Sequence, residues 1–407
     1  MRKQIYEDYL KILKDMKVTD AMSIPLCAAQ THISNFCKQP LTSDFEGKYS
    51  FIDETGENSF IGGECVESLN RLLAKQCKII FDCDYVNADT LTGVNCFSVV
   101  AMALLKSGMR VLLTTPEQGG HPSIPIILEH LSITYDEIPY DFKNYQIDYK
   151  KTNKMIKLKK YDFIIFCQSD ILQIPDISLI EFNGTGVIYD ATQTLGLISG
   201  KAVSNPLSYS NAILIGGTHK TLPAPACGIV MTNNKQYINL LKQQITPSLL
   251  RNTQPNHIAG LLLSLIEQEE FGSVYQTNVV VTANLLASKL EQLGLKVAKL
   301  DKKIYSQTHQ IFILLDETST NLYFNNAKLF NITLNKKNKK LFNNTGIRIG
   351  VQQIARYNWG EDELSELARL LFLLLNSDEN KNEILEIRKK LISKKTPKFE
   401  LSEIIIE

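Results

Sequence analysis

A lysine and an aspartate in this sequence lie where both could act on the same bound molecule. Asp190 ends the apolar run 186–190, and Lys220 follows the apolar run 212–215. A partly desolvated lysine can lose its proton and attack an aldehyde as an amine, and an aspartate facing a pyridine nitrogen keeps that nitrogen protonated. Together the two residues indicate pyridoxal phosphate chemistry. Taken singly, a solvated loop lysine and a helix-capping aspartate are the more common explanations.

Thr92 and Gly93 form a candidate phosphate site, because they open a predicted helix over 95–106. The N–H groups and the dipole at a helix N-terminus attract an anion, and a glycine lets that anion approach closely. Plain N-capping by Thr92 explains the same residues.

Two further side chains have positions that suit a ligand. His121 follows a predicted strand over 109–115 and could place its ring against a flat cofactor, although a lone histidine is more often structural. Arg348 lies in the apolar segment 345–350, where a guanidinium can bind a carboxylate through two parallel hydrogen bonds. An internal salt bridge of Arg348 is an equally good explanation.

These residues belong to a region, from about residue 80 to 233, in which short apolar runs alternate with helix-length segments. The pattern predicts a helix over 123–131 and buried strands over 109–115, 163–166, 187–189, 212–215 and 229–232. Such alternation is typical of an α/β fold whose mostly parallel sheet is covered by helices on both faces. Ligands bind beyond the carboxyl ends of such strands, so the candidate residues should meet at one edge of the sheet.

The C-terminal part of the chain predicts a smaller α/β domain. A long helix over 256–293 is followed by strands over 310–315 and 347–350 and by a helix over 361–375. The lysine-rich and asparagine-rich segment 335–344 is predicted to be a loop, and 380–395 a charged surface helix.

The composition limits the classes of function. The 407 residues carry 44 Lys and Arg against 43 Asp and Glu, a formal net charge of +1, which gives no electrostatic reason to bind nucleic acid. No apolar run approaches the roughly 20 residues that span a bilayer, so no membrane partner is expected. The eight cysteines contain no Cys-x-x-Cys pair, which predicts neither a metal site nor a disulfide framework and favours a reducing, cytoplasmic setting.

Taken in order along the chain, these segments resemble serine hydroxymethyltransferases, which are pyridoxal-phosphate enzymes of the aspartate-aminotransferase fold class. The resemblance runs from about Ile24 to Leu375. Its motifs are Phe60-Ile-Gly-Gly63, Tyr85-Val-Asn87, Thr92-Gly93, Ala103-Leu-Leu105, Gly119-Gly-His121, Thr218-His-Lys220-Thr-Leu222, His257-Ile-Ala-Gly260 and Thr345-Gly-Ile-Arg-Ile-Gly350. The Thr-His-Lys-Thr-Leu string is the most specific of them.

The resemblance implies an α/β fold of type I among pyridoxal-phosphate-dependent transferases, with a mostly parallel sheet of seven strands in the large domain. It predicts an N-terminal helical arm over 1–26, a large cofactor-binding domain over 27–260, and a small α/β domain over 261–407 that ends in a charged helix. A homodimer with shared active sites is implied as well.

The same resemblance assigns roles around the cofactor ring. It implies that Lys220 forms a Schiff base with the cofactor, that Asp190 pairs with the pyridine nitrogen and that His121 stacks on the ring. Ser169 corresponds to a family serine near the cofactor, and His219 to the histidine before the lysine.

Thr92 and Gly93 are expected to hold the phosphate, but the sequence departs from the family near this group. The glycine-rich segment that lends backbone amides across the dimer interface corresponds to residues 247–254, where Arg251 could supply a charge instead. Gln193 replaces a histidine that contacts the cofactor's phenolic oxygen, and a glutamine can still donate that hydrogen bond.

On the substrate side, the resemblance implies that Arg348 binds a carboxylate. The family's Tyr-Ala-Glu-Gly-Tyr, whose glutamate moves a proton in folate chemistry, corresponds loosely to Phe45-Glu46-Gly47-Lys48-Tyr49. We expect Glu46 and His121 to perform the acid–base steps and Tyr49 to contact substrate. Pyridoxal 5'-phosphate is the implied cofactor, and tetrahydrofolate is doubtful.

The expected reaction acts at Cα of a small amino acid and breaks or forms its Cα–Cβ bond, as hydroxymethyltransferases, aldolases and transaldolases do. We expect it without folate and in a specialised biosynthetic pathway. Racemisation, decarboxylation and replacement chemistry begin in the same way and are alternatives within this cofactor class. A non-catalytic protein of this fold that binds a partner is a further alternative, which the presence of Lys220 disfavours.

Overall fold

The computed structural model describes residues 2–52 and 57–402. Within them the helices are α1 (Arg2–Met22), α2 (Asn35–Lys38), α3 (Glu64–Phe81), α4 (Gly93–Leu104), α5 (Ser123–His130), α6 (Tyr149–Leu158), α7 (Leu195–Ser199), α8 (Lys235–Gln244), α9 (Pro255–Gln292), α10 (Glu317–Leu329), α11 (Gln352–Ala355), α12 (Glu361–Leu373) and α13 (Lys381–Ile392). The strands are β1 (Ile24–Pro25), β2 (Tyr85–Asn87), β3 (Arg110–Leu113), β4 (Thr134–Glu137), β5 (Tyr140–Asp141), β6 (Gln146–Ile147), β7 (Phe163–Phe166), β8 (Gly186–Asp190), β9 (Ala212–Gly217), β10 (Gly228–Thr232), β11 (Gln310–Leu314), β12 (Ile332–Thr333), β13 (Asn335–Lys339) and β14 (Asn344–Gly350).

The chain divides into two compact units. The small unit contains the residues up to Ala28 together with Val281–Lys398, and the large unit contains Ala29–Val280 and the chain from Phe399 onward. The domain limits at residues 26 and 260 that the sequence suggests stay a prediction.

A seven-stranded sheet forms the centre of the large unit. Its strand order is β2-β10-β9-β8-β7-β3-β4, and β10 runs antiparallel to both of its neighbours while the other pairs are parallel. The sequence therefore predicted this mostly parallel sheet correctly. Since β7, β8 and β9 share one direction, the residues that follow them emerge at the same edge.

Helices cover both faces of this sheet because successive strand residues point to opposite sides. On β8, Val187 and Tyr189 pack into an apolar cluster with α3 and the start of α9. The residue between them, Ile188, packs into a second cluster with α4, α5 and α8. Each such fully buried side chain stabilises the fold by about 1.5–3 kcal/mol relative to exposure, which fixes the strand register.

The small unit contains a three-stranded antiparallel sheet in the order β11-β14-β13. The prediction of a loop over 335–344 was wrong for residues 335–339. These residues form β13, which pairs with β14 so that Asn335 lies opposite Arg348 and Lys339 lies opposite Asn344. Its polar side chains alternate between half-buried and exposed positions. Lysines are common on edge strands, where they discourage pairing with another chain, so a polar segment can still be a strand.

Helix α1 has no buried residue. Its C-terminal end is held within the small unit by Lys395, whose Nζ donates to the backbone oxygens of Asp20 at 2.9 Å, Ala21 at 3.2 Å and Ser23 at 2.9 Å. Arg388 donates to the backbone oxygen of Met22. Lys395 and Arg388 thus donate hydrogen bonds to backbone carbonyl groups at the end of the helix, where such groups have no partner within the helix. Among the described helices, none combines the length and apolarity needed to cross a membrane.

Candidate active site

Asp190 and the start of the Lys220 loop are joined by a threonine that lies between them. Asp190 is the last residue of β8, and its Oδ1 accepts a hydrogen bond from Thr192 N at 2.8 Å. The Thr192 hydroxyl in turn accepts from Gly217 N, the last residue of β9, at 2.9 Å. The carboxylate is therefore held at the carboxyl edge of the sheet, beside the segment that leads to Lys220.

The N-terminus of α4 lies against Thr192 and Gly217 as well. Gly93 is buried, and a Cβ atom built on it would lie 2.3 Å from Thr192 Oγ1 and 3.2 Å from Gly217 N, so no larger residue fits there without a shift. Thr92 is the N-cap of α4, and its hydroxyl accepts from Asn95 N at 3.2 Å. N-capping by Thr92 is thus confirmed, and its contact with a phosphate stays a prediction.

Lys220 lies in a loop that is fixed on both sides. Before it, Gly217 bonds to Thr192, as described; after it, the Thr221 hydroxyl donates to the backbone oxygen of Gln193 at 3.0 Å and accepts from Gly196 N at 3.1 Å. Thr221 is fully buried. The half-buried lysine is therefore presented by a backbone that is tied to the segment following Asp190.

His219 adds an imidazole to this loop. Burial, followed by the positive charge of Lys220, lowers the pKa of His219 below its usual value, so its ring is neutral near pH 7. Its Nδ1 is buried and has no hydrogen-bond partner among the described residues. Buried polar atoms are normally paired, and such an atom beside an amine suits a polar group on a ligand.

His121 and Ser169 are held together by backbone contacts at the same edge of the sheet. His121 N donates to Cys167 O at 2.8 Å, and Ser169 N donates to Gly119 O at 2.7 Å. His121 Nδ1 accepts from Ser123 N at 3.2 Å, which leaves Nε2 as the ring atom that carries the exchangeable proton. Since β3 and β7 are adjacent, the structure brings these two predicted residues together.

Gln193 is buried, with 2% of its surface exposed. Its backbone oxygen is the acceptor for Thr221, so the residue is fixed in position next to the Lys220 loop. Donation by its side chain to the cofactor's phenolic oxygen stays a prediction.

Three other predicted residues of the large unit have local partners. Asn256, which is 3% exposed, donates through Nδ2 to the Glu46 carboxylate. The Tyr49 ring packs on Phe60 with centroids 4.6 Å apart, and the exposed Arg251 guanidinium lies 5.2 Å from the centroid of the Phe51 ring. Their roles toward substrate and cofactor stay predictions.

Arg348 lies in the small unit on β14 and is 5% exposed. Its Nη2 donates to Asn335 Oδ1 on the paired strand β13 at 2.9 Å. An arginine buried in an antiparallel sheet needs polar partners, and this amide supplies one of them. Its role as the ligand of a substrate carboxylate stays a prediction.

The side chains of the large unit fit pyridoxal phosphate by their chemistry. A half-buried lysine can bind an aldehyde, and a carboxylate fixed by a backbone N–H can hold a proton on a pyridine nitrogen. The first residues of α4, Gly93 and Val94, present N–H groups that have no partner within the helix, as a phosphate requires. The buried Nδ1 of His219, which has no partner among the described residues, suits a polar group on the cofactor.

Two threonines and an asparagine near the site were not identified from the sequence. Thr192 stands two residues after Asp190, a spacing at which an aspartate commonly accepts from the backbone, and that signal could have found it. Thr221 lies inside the lysine motif, but its bond to Gln193 depends on the packing of two loops. No local sequence pattern marks Asn256, because Glu46, to which it bonds, is far away in the sequence.

This chain is similar to proteins of known family and known structure. The family model for serine hydroxymethyltransferase matches residues 3–371. The serine hydroxymethyltransferase of Thermoplasma volcanium is 28% identical over 95% of this chain and 95% of its own length, and that of Archaeoglobus fulgidus is 28% identical over 95% and 90%. Among solved structures, the L-threonine transaldolase of Pseudomonas fluorescens superposes with a TM-score of 0.86 at 22% identity, covering 96% of this chain and 91% of its own. That superposition confirms the predicted fold.

Proposed function

This chain belongs to the serine hydroxymethyltransferase family, and from that premise we propose that it breaks and forms the Cα–Cβ bond of a small β-hydroxy amino acid with pyridoxal phosphate as cofactor. The observation that carries this proposal is the junction of Asp190, Thr192, Gly217 and Gly93 beside Lys220. It joins a carboxylate, a helix N-terminus and an amine-bearing loop at one edge of the sheet.

Each residue at this junction has a defined task. When bound, pyridoxal phosphate supplies an aldehyde for the substrate amine and a ring that accepts the electron pair released at Cα. Lys220 would hold the cofactor through its amine, and Asp190 would keep a proton on the ring nitrogen. The N–H groups at the start of α4, with Thr92 and Gly93, bind the phosphate.

The neighbouring side chains orient the ring and move protons. His121 would pack against the ring face. Its Nδ1 accepts from Ser123 N, so its exchangeable proton is on Nε2. Gln193 and Ser169 contact the ring substituents, His219 donates or accepts at a polar atom of the cofactor through Nδ1, and Arg251 contributes charge to the phosphate. These roles form part of the proposal.

On the substrate side, Arg348 binds the carboxylate of the amino acid and Tyr49 lies against it. Glu46 is the second acid–base group; Asn256 holds its carboxylate in one orientation, as proton transfer to a defined atom requires. We propose that the reaction proceeds without tetrahydrofolate, because the segment 45–49 matches the family's folate motif only loosely.

The proposal is tested by incubating the cofactor-loaded protein with L-threonine, L-allo-threonine, L-serine and L-alanine, with and without tetrahydrofolate. We expect aldehyde and glycine from the β-hydroxy amino acids at rates that folate does not change. Alanine, which lacks the hydroxyl whose proton must leave, should release none. The variant Lys220→Ala should lose both the visible absorbance of the bound cofactor and at least about 1,000-fold in rate.

Two results would contradict the proposal. A protein that stays colourless with added pyridoxal phosphate has no cofactor site. Conversion of serine to glycine that strictly requires tetrahydrofolate would overturn the folate-independent reaction while leaving the cofactor assignment intact.

We also propose that the protein forms a homodimer with shared active sites. We further propose that it is cytoplasmic. The exposed helix α1 supports the dimer, because none of its residues is buried and its Ile5 and Ile12 side chains are 64% and 66% exposed. The eight cysteines support a reducing compartment, since none of them forms a disulfide and six are buried.

A further inference from the structure

Thr192 bonds to the ends of two strands and lies against the start of a helix. Its backbone N–H donates to Asp190 Oδ1 at 2.8 Å, and its hydroxyl accepts from Gly217 N at 2.9 Å. The same hydroxyl oxygen lies 2.3 Å from the place where a Cβ on Gly93 would stand. The ends of β8 and β9 and the start of α4 therefore converge on one residue.

The Thr192 hydroxyl adds one hydrogen bond between β8 and β9, beyond the last bond that their backbones make with each other. The final backbone bond between these strands runs from Ala191 N to Ile215 O at 2.7 Å. In a parallel ladder the next donor is Gly217 N, and here the Thr192 side chain accepts from it. Without that acceptor, the buried N–H of Gly217 would lose a hydrogen bond that the strand end cannot replace.

The position of this bond matters because Gly217 precedes the loop of Lys220. Asp190 and Lys220 must engage opposite ends of one rigid planar ring, so the distance between their backbones has to be constant. Thr192 bonds to the carboxylate with one atom and to the lysine loop with another.

We propose that Thr192 is a positioning residue, which sets the spacing between the Asp190 carboxylate and the Lys220 loop through its hydroxyl. This inference rests on the proposed function, because the spacing has a purpose only if both residues engage one cofactor. Thr192 does not touch the reacting atoms. Its removal should therefore weaken and disturb the bound cofactor while leaving the fold intact.

The test compares two threonine-to-valine variants. Thr192→Val keeps the branched shape and removes the acceptor of Gly217. Thr232→Val is the matched control, because Thr232 Oγ1 donates to Ala212 O at 2.7 Å at the other end of β9 and is fully buried. Each variant loses one threonine hydroxyl that bonds to β9. Thr192→Ser keeps the hydroxyl and serves as the rescue.

Three quantities are measured for each protein: the Kd of pyridoxal phosphate, the pH midpoint of the visible absorbance of the bound cofactor, and the Tm of the cofactor-free chain. We expect both valine variants to lower Tm. Thr192→Val alone should raise the Kd on the order of tenfold, the equivalent of one well-placed hydrogen bond, and should move the pH midpoint. Thr192→Ser should return both values to those of the wild type.

The outcomes separate this inference from the proposed function. If the wild type binds no pyridoxal phosphate, the proposed function fails. If the wild type binds it, and Thr192→Val matches Thr232→Val in Kd and pH midpoint, the positioning role is overturned. Should Thr192→Val not fold, Thr192→Ala replaces it in the comparison with Thr192→Ser, and equal cofactor binding by those two variants overturns the inference.

Discussion

At the scale of single residues, the surroundings of His219 determine the pH at which its imidazole binds a proton. His219 is partly buried beside a positive charge, which lowers its pKa below 6.5. An unfolded chain exposes the same histidine to water, where it binds a proton at higher pH than the folded chain does. The folded state is therefore favoured by this residue above about pH 6.5 and loses that advantage as the pH falls.

This difference predicts a pH dependence of stability for the cofactor-free protein. The free energy of unfolding should fall as the pH is lowered from about 6.5, and His219→Asn should reduce that fall because asparagine binds no proton. Urea titrations between pH 5 and pH 8 measure the effect. Identical slopes for wild type and His219→Asn would contradict it.

Gly93 provides a second prediction at this scale. In Gly93→Ala the new methyl group would collide with the Thr192 hydroxyl at 2.3 Å, so the start of α4 must move. We expect a loss of about 1–3 kcal/mol in the free energy of unfolding and weaker binding of pyridoxal phosphate, measured by urea denaturation and equilibrium dialysis.

The control for Gly93→Ala lies on the neighbouring strand. A methyl group on Gly216 would approach no closer than 3.4 Å to the Leu195 side chain, an ordinary contact. Gly216→Ala should therefore change stability and cofactor binding little. If Gly93→Ala behaved like this control, the close approach of α4 to Thr192 would have no energetic weight.

At the scale of helices and strands, sequence patterns succeeded where burial decides the structure. Strands β7, β8 and β9 consist of consecutive apolar residues and are buried along their whole length apart from Asp190, so hydrophobicity alone located them. Strands β4 and β13 were missed. Strand β4 is largely exposed, and the polar strand β13 alternates between half-buried and exposed positions. Both form because their backbones pair with β3 and β14, and a local sequence pattern does not contain that pairing.

The candidate site divides in a similar way. Lys220, Asp190 and His121 could be named because a motif or a strand end marks each of them. Thr192 and Asn256 could not be named with a role, because their hydrogen bonds reach Gly217 and Glu46 across long stretches of chain. Such bonds depend on the fold, and no spacing within the sequence encodes them.

At the scale of the whole molecule, the most unusual surface is helix α1. Ile5, Tyr9, Ile12 and Met16 lie on one face by their spacing and are 64%, 53%, 66% and 49% exposed. Apolar residues in such a row generally mark a surface that contacts another protein. The proposed homodimer would cover this row.

Replacing two residues of the row tests the dimer. Ile5→Glu combined with Ile12→Glu places charges on the apolar face, and we expect the dimer dissociation constant to rise at least about 100-fold. Lys14→Glu changes a charge on the opposite face of α1 and should leave the dimer intact. Light scattering coupled to size-exclusion chromatography gives the masses. A monomeric wild type, or a double variant that stays dimeric, would contradict the assignment of α1 to the interface.

The strand order of the central sheet also bears on how the protein is made. Strand β2 lies at an edge and pairs only with β10 among the described strands. During synthesis β2 leaves the ribosome well before β10, so it cannot pair within this sheet until β10 has been made. The same insertion of β10 beside β9 closes the loop that carries Lys220. The loop of Lys220, the proposed cofactor-binding residue, is therefore closed only when β10 completes the sheet. We expect that a nascent chain halted before β10 does not yet bind pyridoxal phosphate.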